Sequence, residues 1–262
     1  MAQGSPGSSS VGGAVVIIPA RLGSVRFPGK VLADATGSPL IRHVCEAARS
    51  ARCVERVVVA TDDVRVRAAV ERFGGEAVMT GEHPNGTSRL GEAAATLGLE
   101  ADRIIVNVQG DEPEIEPGLI DLSVEALVES GADAATAACP LGPDDRHDDP
   151  NVVKVVLDGR GMAMYFSRAP IPHRRDHDDG ACARPLRHVG LYVYRRAFLD
   201  EYLRLPATPL ELAEKLEQLR ILEHGRRIAV AVAEGTSRGI DTPEQYAAFV
   251  ERWRARGLDG PR

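Results

Sequence analysis

This chain of 262 residues lacks the apolar segments that would place it in a membrane. No apolar run approaches the ~18 residues that a membrane-spanning helix needs. The N-terminal stretch MAQGSPGSSSVGG has neither the basic start nor the apolar run of a secretory signal. We therefore predict a cytoplasmic protein in which residues 1–13 form a flexible extension to a single domain over residues 14–262.

Cysteine is scarce, and basic residues are not in excess. The four cysteines form no C-x-x-C pair, so the pattern of a zinc site is missing, and we expect free thiols in a reducing compartment. Lysine and arginine number 32 against 38 aspartate and glutamate residues, a net charge of -6. This balance argues against a nucleic-acid-binding surface. A basic pocket for a small phosphate compound needs only a few cations and is compatible with it.

The first half of the chain alternates short β-branched runs with helix-like segments. The runs are continuous and apolar, as in strands that are buried on both faces of a parallel sheet. The alternation predicts βαβ units with right-handed crossovers. The predicted strands are Ala14–Ile18, Arg56–Ala60, Ile104–Val108 and Asp133–Ala138. The predicted helices are Pro39–Arg52, with Ser38 as its N-cap and Pro39 at its first position, Asp63–Phe73, which stops at Gly74-Gly75, Thr87–Leu97 and Pro117–Ser130.

The second half is less regular. It predicts a smaller, mixed, β-rich part joined to a mostly parallel, Rossmann-like α/β sheet with helices on both faces. We divide the domain into a nucleotide-binding half, 14–140, and a second half, 141–262. The predicted elements of the second half are the strands Val152–Leu157, Gly161–Phe166, Arg187–Tyr194 and Ile228–Ala233, the helices Leu210–His224 and Pro243–Arg256, and a mobile loop at His173–Arg184.

The loop after the first strand, PARLGSVRFPGK, carries three cations and two glycines. Ligands of such sheets bind at the carboxyl ends of the strands. Guanidinium and ammonium groups, together with backbone N–H groups that glycine lets come close, suit a nucleoside triphosphate. We predict that Arg21, Arg26 and Lys30 bind one. A solvated basic surface loop is the alternative.

Two common nucleotide-binding motifs are missing from this loop. Five residues separate Gly23 from Gly29, and Val31 follows Lys30, so the loop is not a Walker A motif. The chain also has no G-x-G-x-x-G turn, which removes the main support for an NAD-dependent dehydrogenase. The loop therefore indicates a nucleotide site of another class.

Two carboxylates follow predicted strands. Asp111 comes after Ile104–Val108 in the segment QGDEP, and Asp241 lies in GIDTP near the end of the chain. Mg²⁺ prefers oxygen ligands and keeps several waters, so the pair opposite a basic loop predicts a metal–triphosphate site. The alternatives are a turn residue for Asp111 and a helix N-cap for Asp241.

These loops belong to a longer pattern that resembles the CMP-Kdo synthetase family, the 3-deoxy-manno-octulosonate cytidylyltransferases. The resemblance covers the chain from about Val15 to Phe249, and the order and spacing of its blocks are more specific than any one of them. The blocks are IIPARLGSVRFPGK, VVVATDD, HPNGTSRL, IVNVQGDEP, NVVKVVLD, YFSRAPIP, RHVGLYVYR, LEQLRILEHG and GIDTPEQ.

The resemblance implies an Mg²⁺-dependent nucleotidyltransferase that joins CTP to the sugar acid Kdo for lipopolysaccharide biosynthesis. It implies a homodimer whose second half supplies sugar binding and much of the dimer contact, with no nucleic-acid or membrane partner. The implied catalytic residues are Arg21, Lys30, Asp111 and Asp241, of which the two aspartates bind Mg²⁺. The implied nucleotide-binding residues are Pro19, Ala20, Arg21, Arg26, Lys30, Thr87 and Ser88. The implied sugar-acid pocket consists of Gln109, His188, Tyr192, Glu217 and Gln218.

The residues leave some alternatives open. The family usually has SGTER where this chain has NGTSR, so Ser88 removes a charge beside the nucleotide loop and raises the question of base selectivity. A histidine such as His188, before an apolar strand, is often structural, and the alternating charges around Glu217 and Gln218 are typical of a solvated helix face. The alternative functions are a cytidylyltransferase for another acidic sugar, such as a sialic acid or amino-Kdo, and a non-catalytic nucleotide-binding regulator.

Overall fold

The described residues fold around a nine-stranded sheet. The computed structural model describes residues 13–24, 26–142, 145–173, 175, 184–234 and 239–257. The strands are β1 (Ala14–Pro19), β2 (Val54–Thr61), β3 (Glu76–Met79), β4 (Ile104–Asn107), β5 (Ala134–Pro140), β6 (Lys154–Leu157), β7 (Ala163–Ser167), β8 (Leu186–Arg195) and β9 (Ile228–Val232). The helices are α1 (Leu40–Arg49), α2 (Val64–Arg72), α3 (Gly86–Thr96), α4 (Pro117–Ser130), α5 (Arg196–Tyr202), α6 (Pro209–Glu214), α7 (Gln218–Glu223) and α8 (Pro243–Ala255), and a 3₁₀ turn spans Lys30–Leu32.

The strand order is β3-β2-β1-β4-β8-β5-β9. The first four of these strands run parallel, as the alternation predicts. β8 lies between β4 and β5 and runs antiparallel to both, whereas β5 and β9 are parallel to each other. The hairpin β6–β7 adds to the edge of β8. The predicted mostly parallel sheet with a mixed second part is confirmed, and the first residues of β8 extend beyond the carboxyl end of β4.

Helices cover both faces of the sheet because successive residues of each buried strand point to opposite sides. Along β1, Val16 and Ile18 pack with side chains of α1, α2 and α4, whereas Val15 and Ile17 pack with those of α3, α5 and α7. All four β1 side chains are fully buried, which confirms the prediction of helices on both faces. No helix in the described part of the chain is long and apolar enough to cross a membrane.

One predicted helix is wrong. The segment Leu210–His224 forms two short helices, α6 and α7, and the chain turns at Lys215, whose backbone is left-handed with φ 55°. No glycine or proline marks this break. The guanidinium group of Arg168 donates to the carbonyl oxygens of Glu214 and Lys215, at 2.7 and 3.4 Å. A residue distant in sequence thus satisfies carbonyl groups that the end of α6 leaves free.

Two elements were not predicted, and one cap was predicted wrongly. β3 is a four-residue edge strand that pairs only with β2, too short for an alternation to show. α5 follows β8 directly, without a turn residue between them. Pro39 rather than Ser38 holds the N-cap position of α1, in an extended backbone conformation and without a side-chain cap, so the helix begins at Leu40.

Two other predicted segments fall largely outside the described residues. Of the N-terminal extension only Gly13 is described, and of the loop His173–Arg184 only the two ends and Arg175. The division into halves at 140 and 141 stays a prediction. Strands from both sides of that division belong to the same sheet.

A buried ammonium group anchors the β6–β7 hairpin. Lys154 is fully buried, and its Nζ donates to the carbonyl oxygens of Asp149, Val152 and Arg168 at 3.0, 2.6 and 2.6 Å. Burial lowers the pKa of this amine. One side chain therefore satisfies three carbonyl groups from the segments on either side of the hairpin.

Replacing Lys154 with Met is expected to lower the free energy of unfolding by on the order of 3 kcal/mol, because the three carbonyl oxygens lose their donor where water is scarce. Urea denaturation at pH 7 measures the change. Arg160→Met, at an exposed position in the β6–β7 turn, is the control and should stay within ~0.5 kcal/mol of the parent. Equal stability of the parent and Lys154→Met would contradict this role.

Candidate active site

Three segments that are far apart in sequence meet at the ammonium group of Lys30. Its Nζ donates to Asp111 Oδ2 at 2.5 Å, to Asp241 Oδ1 at 3.0 Å and to the carbonyl oxygen of Ile240 at 2.8 Å. Arg26 pairs with the other oxygen of Asp241 at 2.9 Å. Burial by itself lowers the pKa of Lys30, but Asp111 and then Asp241 outweigh it, so this pKa is raised. The lysine is therefore a permanent cation between two carboxylates.

Glycine shapes the two loops that bring Lys30 and Asp111 together. Gly29, just before Lys30, has φ 72°, a conformation that side chains disfavour. After β4, a Cβ atom on Gly110 would lie 2.9 Å from the carbonyl oxygen of Pro19. Only glycine lets the loops after β1 and β4 come this close.

The third segment is held by a backbone bond and a helix cap. The N–H of Ile240 donates to the carbonyl oxygen of Asp111 at 2.8 Å. The N-cap of α8 is Thr242, whose hydroxyl accepts from the N–H of Gln245 in a capping box. The alternative of Asp241 as the N-cap is therefore wrong. Its carboxylate faces Lys30 and Arg26 instead.

These groups surround a cavity of about 360 Å³ at the carboxyl ends of β1 and β4. The lining includes seven residues that the sequence predicts for the nucleotide and metal: Pro19, Ala20, Arg21, Arg26, Lys30, Asp111 and Asp241. It also includes His83, Asn85 and Arg89, to which sequence reasoning gave no role. All three belong to the block HPNGTSRL. The feature of the sequence that could have identified them is this cluster of polar residues between the end of a strand and the start of a helix.

Arg89 forms part of the wall of this cavity. Only 3% of it is exposed, and its guanidinium binds Asp62 Oδ2 and Thr80 Oγ1, each at 2.6 Å. Asp62 follows β2 and Thr80 follows β3. The buried arginine therefore ties the carboxyl ends of these two strands to α3.

Thr87 and Ser88 lie in the first turn of α3, but neither is among the described residues that line the 360 Å³ cavity. The buried hydroxyl of Thr87 donates to Glu217 Oε2 at 2.9 Å. Ser88 belongs to the helix cap, because Asn85 Oδ1 accepts from its N–H at 2.9 Å and from its hydroxyl at 2.7 Å. The family pattern SGTER places Ser and Glu at the two capping-box positions. Asn85 and Ser88 replace that pair together.

A second cavity, of about 170 Å³, adjoins the first and shares Gly86 and Gln109 with it. Its lining contains four of the five predicted sugar-pocket residues: Gln109, Tyr192, Glu217 and Gln218. Gln218 is only 4% exposed, so it does not lie on a solvated helix face. Burial raises the pKa of Glu217, against the opposing effect of the hydrogen bond from Thr87.

His188, the fifth predicted residue, lines a neighbouring cavity of about 650 Å³ instead. Its Nε2 lies 2.8 Å from Thr136 Oγ1, whose hydroxyl donates to the carbonyl oxygen of Leu191 at 2.6 Å. Because threonine has one hydroxyl proton, Nε2 is the donor. The ring packs against Phe166 and Tyr192, with centroids 5.1 and 5.4 Å away. Burial, helped by a neighbouring arginine, lowers the imidazole pKa to about 3, so the ring is neutral near pH 7.

With this fold and site, the chain belongs to the cytidylyltransferase family, whose profile matches residues 15–228. It is 52% identical to the 3-deoxy-manno-octulosonate cytidylyltransferase of Anaeromyxobacter sp. (strain Fw109-5), over 94% of this chain and 98% of that protein. It is 51% identical to the 3-deoxy-manno-octulosonate cytidylyltransferase of Syntrophobacter fumaroxidans, over 90% of this chain and 95% of that one. The family prediction from the sequence blocks is thus confirmed.

A solved structure shares the fold. It is a CMP:2-keto-3-deoxy-manno-octonic acid synthetase complexed with CTP, and its TM-score to this chain is 0.86 at 41% sequence identity. The match covers 93% of this chain and 99% of that one. The strand arrangement around the two cavities is therefore the arrangement of a known nucleotide-binding enzyme.

The lowered pKa of His188 predicts a pH dependence of stability. An unfolded histidine binds a proton below pH ~6.5, whereas the folded ring does so only near 3. The stability of the parent relative to His188→Gln should therefore fall as the pH decreases from 7 to 5, with a slope that approaches ~1.4 kcal/mol per pH unit.

Urea denaturation at pH 7, 6 and 5 measures this slope. His173→Gln, at an exposed histidine, controls for the loss of an imidazole as such. A stability difference between the parent and His188→Gln that does not vary with pH would show that His188 titrates like an exposed histidine.

Proposed function

We propose that this protein transfers the cytidylyl group of CTP to 3-deoxy-manno-octulosonate (Kdo), giving CMP-Kdo and pyrophosphate for lipopolysaccharide biosynthesis. The observation that carries the proposal is the junction of two cavities at Gln109, one bordered by three arginines, a lysine and two carboxylates, the other by polar side chains. Family membership and 52% identity to a Kdo cytidylyltransferase support these substrates.

The first cavity has the charge that a triphosphate requires. Arg21 and Arg26 offer forked guanidinium donors, and Lys30 offers an ammonium group, to the β- and γ-phosphates. Pro19 and Ala20 border the nucleotide at the end of β1. Thr87 and Ser88 belong to the first turn of α3, whose helix dipole favours negative charge at that end.

Asp111 and Asp241 suit a magnesium ion. Both carboxylates already face one cation, the ammonium group of Lys30. Mg²⁺ is commonly bound by one or two carboxylates together with waters and substrate phosphates, so a pair of aspartates beside a triphosphate cavity fits this metal. When bound, the ion would stabilise the developing charge of the phosphoryl oxygens as a Lewis acid.

The reaction proposed for this site is an in-line displacement. The anomeric hydroxyl of the sugar gives up its proton and attacks the α-phosphorus, the bond from the α-phosphorus to the oxygen that bridges it to the β-phosphorus breaks, and pyrophosphate leaves. The protein contributes mainly positioning and electrostatic stabilisation. Gln109 orients the sugar towards the nucleotide, because it lines both cavities. Tyr192, Glu217 and Gln218 hold the sugar, and His188 supports the Tyr192 ring.

The same proposal includes a cytoplasmic homodimer in which the second half of the chain supplies the contact. Apolar side chains of that half are exposed, among them Met164 at 63%, Leu212 at 55% and Val232 at 46%. Exposed apolar groups of this kind favour association with a partner surface. A second copy of the chain is the partner that this proposal assigns.

The direct test is pyrophosphate release by the purified protein with Mg²⁺ and CTP, with and without Kdo. We expect release only when both substrates are present. Parallel reactions replace CTP with UTP, ATP or GTP, and Kdo with N-acetylneuraminic acid. Release with CTP and only a sugar acid other than Kdo would support the same reaction with a different acceptor. Binding of CTP without release from any pair would identify a regulator instead.

Asp111→Ala is expected to reduce the rate of pyrophosphate release by about a hundredfold or more, because the carboxylate that would hold the magnesium ion and that pairs with Lys30 is lost. Asp102→Ala is the matched control, since Asp102 is exposed at the opposite end of β4 and should leave the rate unchanged. Thermal unfolding verifies that both variants fold. Near-parental turnover by folded Asp111→Ala would remove this residue from the mechanism.

Ser88→Glu tests whether this position selects the base or caps the helix. The single change should cost roughly 0.5–1 kcal/mol of unfolding free energy, because the N–H of residue 88 still donates to Asn85 Oδ1 but the hydrogen bond from the Ser88 hydroxyl is lost. The double change Asn85→Ser with Ser88→Glu should recover that stability by restoring a capping box. The ratio of kcat/KM for CTP and UTP should stay constant throughout. A changed ratio in the double variant would show that Ser88 takes part in base selection.

A further inference from the structure

The turn between α6 and α7 places one residue in a strained conformation. Lys215 has φ 55° and is the only non-glycine residue with a positive φ in the described ranges. This conformation costs of the order of 1 kcal/mol or more, and such strain persists where the surrounding structure imposes it, often at ligand sites. Here Arg168 binds the carbonyl oxygens of Glu214 and Lys215, and the N–H of Lys215 donates to Glu211.

The strained residue belongs to the second cavity. Lys215 lines the 170 Å³ cavity together with Gln109, Tyr192, Glu217 and Gln218. Among the described residues of that lining it is the only basic one, and Glu217 is the only acidic one. The side chain of Lys215 is exposed. No described carboxylate forms an ion pair with its ammonium group.

The neighbouring arginines are already engaged. Arg168 donates to carbonyl oxygens through all three of its guanidinium nitrogens. Arg220 pairs with Glu211 at 2.5 Å and lies over the ring of Tyr202, 5.2 Å from its centroid. Of the cations around this cavity that the structure describes, Lys215 alone has no fixed partner for its charge.

The rarity of lysine in this chain supports a specific role for Lys215. Only three of its 32 basic residues are lysine. Lys30 links the two carboxylates of the first cavity, and Lys154 binds three carbonyl oxygens inside the protein. All other basic residues are arginine. Lys215 is therefore the only lysine that lies exposed at the surface.

We propose that Lys215 determines specificity for an acidic sugar by pairing with the carboxylate of the substrate in the second cavity. The inference rests on the proposed function, because it assumes that this cavity holds the acceptor. A carboxylate that enters beside Glu217 meets a like charge and needs a cation nearby. Lys215 supplies it from the turn between the two helices, where it belongs to the lining of the cavity.

The test compares a sugar acid with its neutral amide. Lys215→Met should raise the KM for the sugar acid about tenfold, because a charge-assisted hydrogen bond is lost. The KM for CTP and kcat should stay unchanged. For the uncharged primary amide of the same sugar acid, Lys215→Met and the parent should have equal KM values. Rescue of most of the affinity is expected in Lys215→Arg.

A second variant separates charge from backbone. Asn tolerates the left-handed conformation, so Lys215→Asn keeps the turn and removes the cation. We expect it to match Lys215→Met in its KM for the acid. If Lys215→Asn instead behaves like the parent, the backbone of the turn matters and the charge does not, and the proposal is wrong.

Failure of this inference is distinguishable from failure of the proposed function. If the parent releases pyrophosphate with a sugar acid and Lys215→Met keeps its KM, only the role of Lys215 is refuted. A binding readout does not depend on turnover: the sugar acid should raise the thermal unfolding midpoint of the parent more than that of Lys215→Met, and the amide should affect both equally. Equal shifts by the acid in both proteins, or no shift in either, would overturn the proposal.

Discussion

The ammonium group of Lys30 links the segments from which the first cavity is built. Two neighbouring carboxylates without a cation would repel each other, and a buried cation without an anion would be costly. By donating to Asp111, to Asp241 and to the carbonyl oxygen of Ile240, one lysine resolves both problems and connects the loop after β1 to the loop after β4 and to the start of α8. Arg26 joins the same junction because it pairs with the other oxygen of Asp241.

A second constraint is the place of β8 in the sheet. Because β8 runs antiparallel between β4 and β5, Tyr192 pairs with Asn107 at the carboxyl end of β4. The strand thus carries residues of the second half to the edge where the first cavity opens. A Cβ atom on Gly190 would lie 3.6 Å from Gln109 Cγ, so this part of β8 passes close to the Gln109 side chain. The junction of the two cavities follows from this pairing.

Single residues show where prediction from sequence succeeded and where it failed. The grouping of Arg21, Arg26 and Lys30 around one cavity was predictable, because their loop follows a buried strand at the carboxyl edge of the sheet, where ligands of such folds bind. The role of Ser88 in the helix cap was not predictable. Its departure from the family pattern can be interpreted only when the hydrogen bonds that it donates to Asn85 are seen. The position of Lys215 was not predictable either, because the carbonyl oxygens of the turn accept hydrogen bonds from Arg168, which is distant in sequence.

The sequence by itself determined the alternation of strands and helices, the loops that carry cations and carboxylates at the strand ends, and the family to which the blocks belong. These features depend on local periodicity and on the order of motifs along the chain. Only the tertiary structure decided that Lys30 joins the two aspartates, that His188 lies behind Tyr192 with a neutral ring, and which side chains line which cavity. Those outcomes depend on hydrogen bonds and ion pairs between segments up to 211 residues apart, which no local pattern encodes.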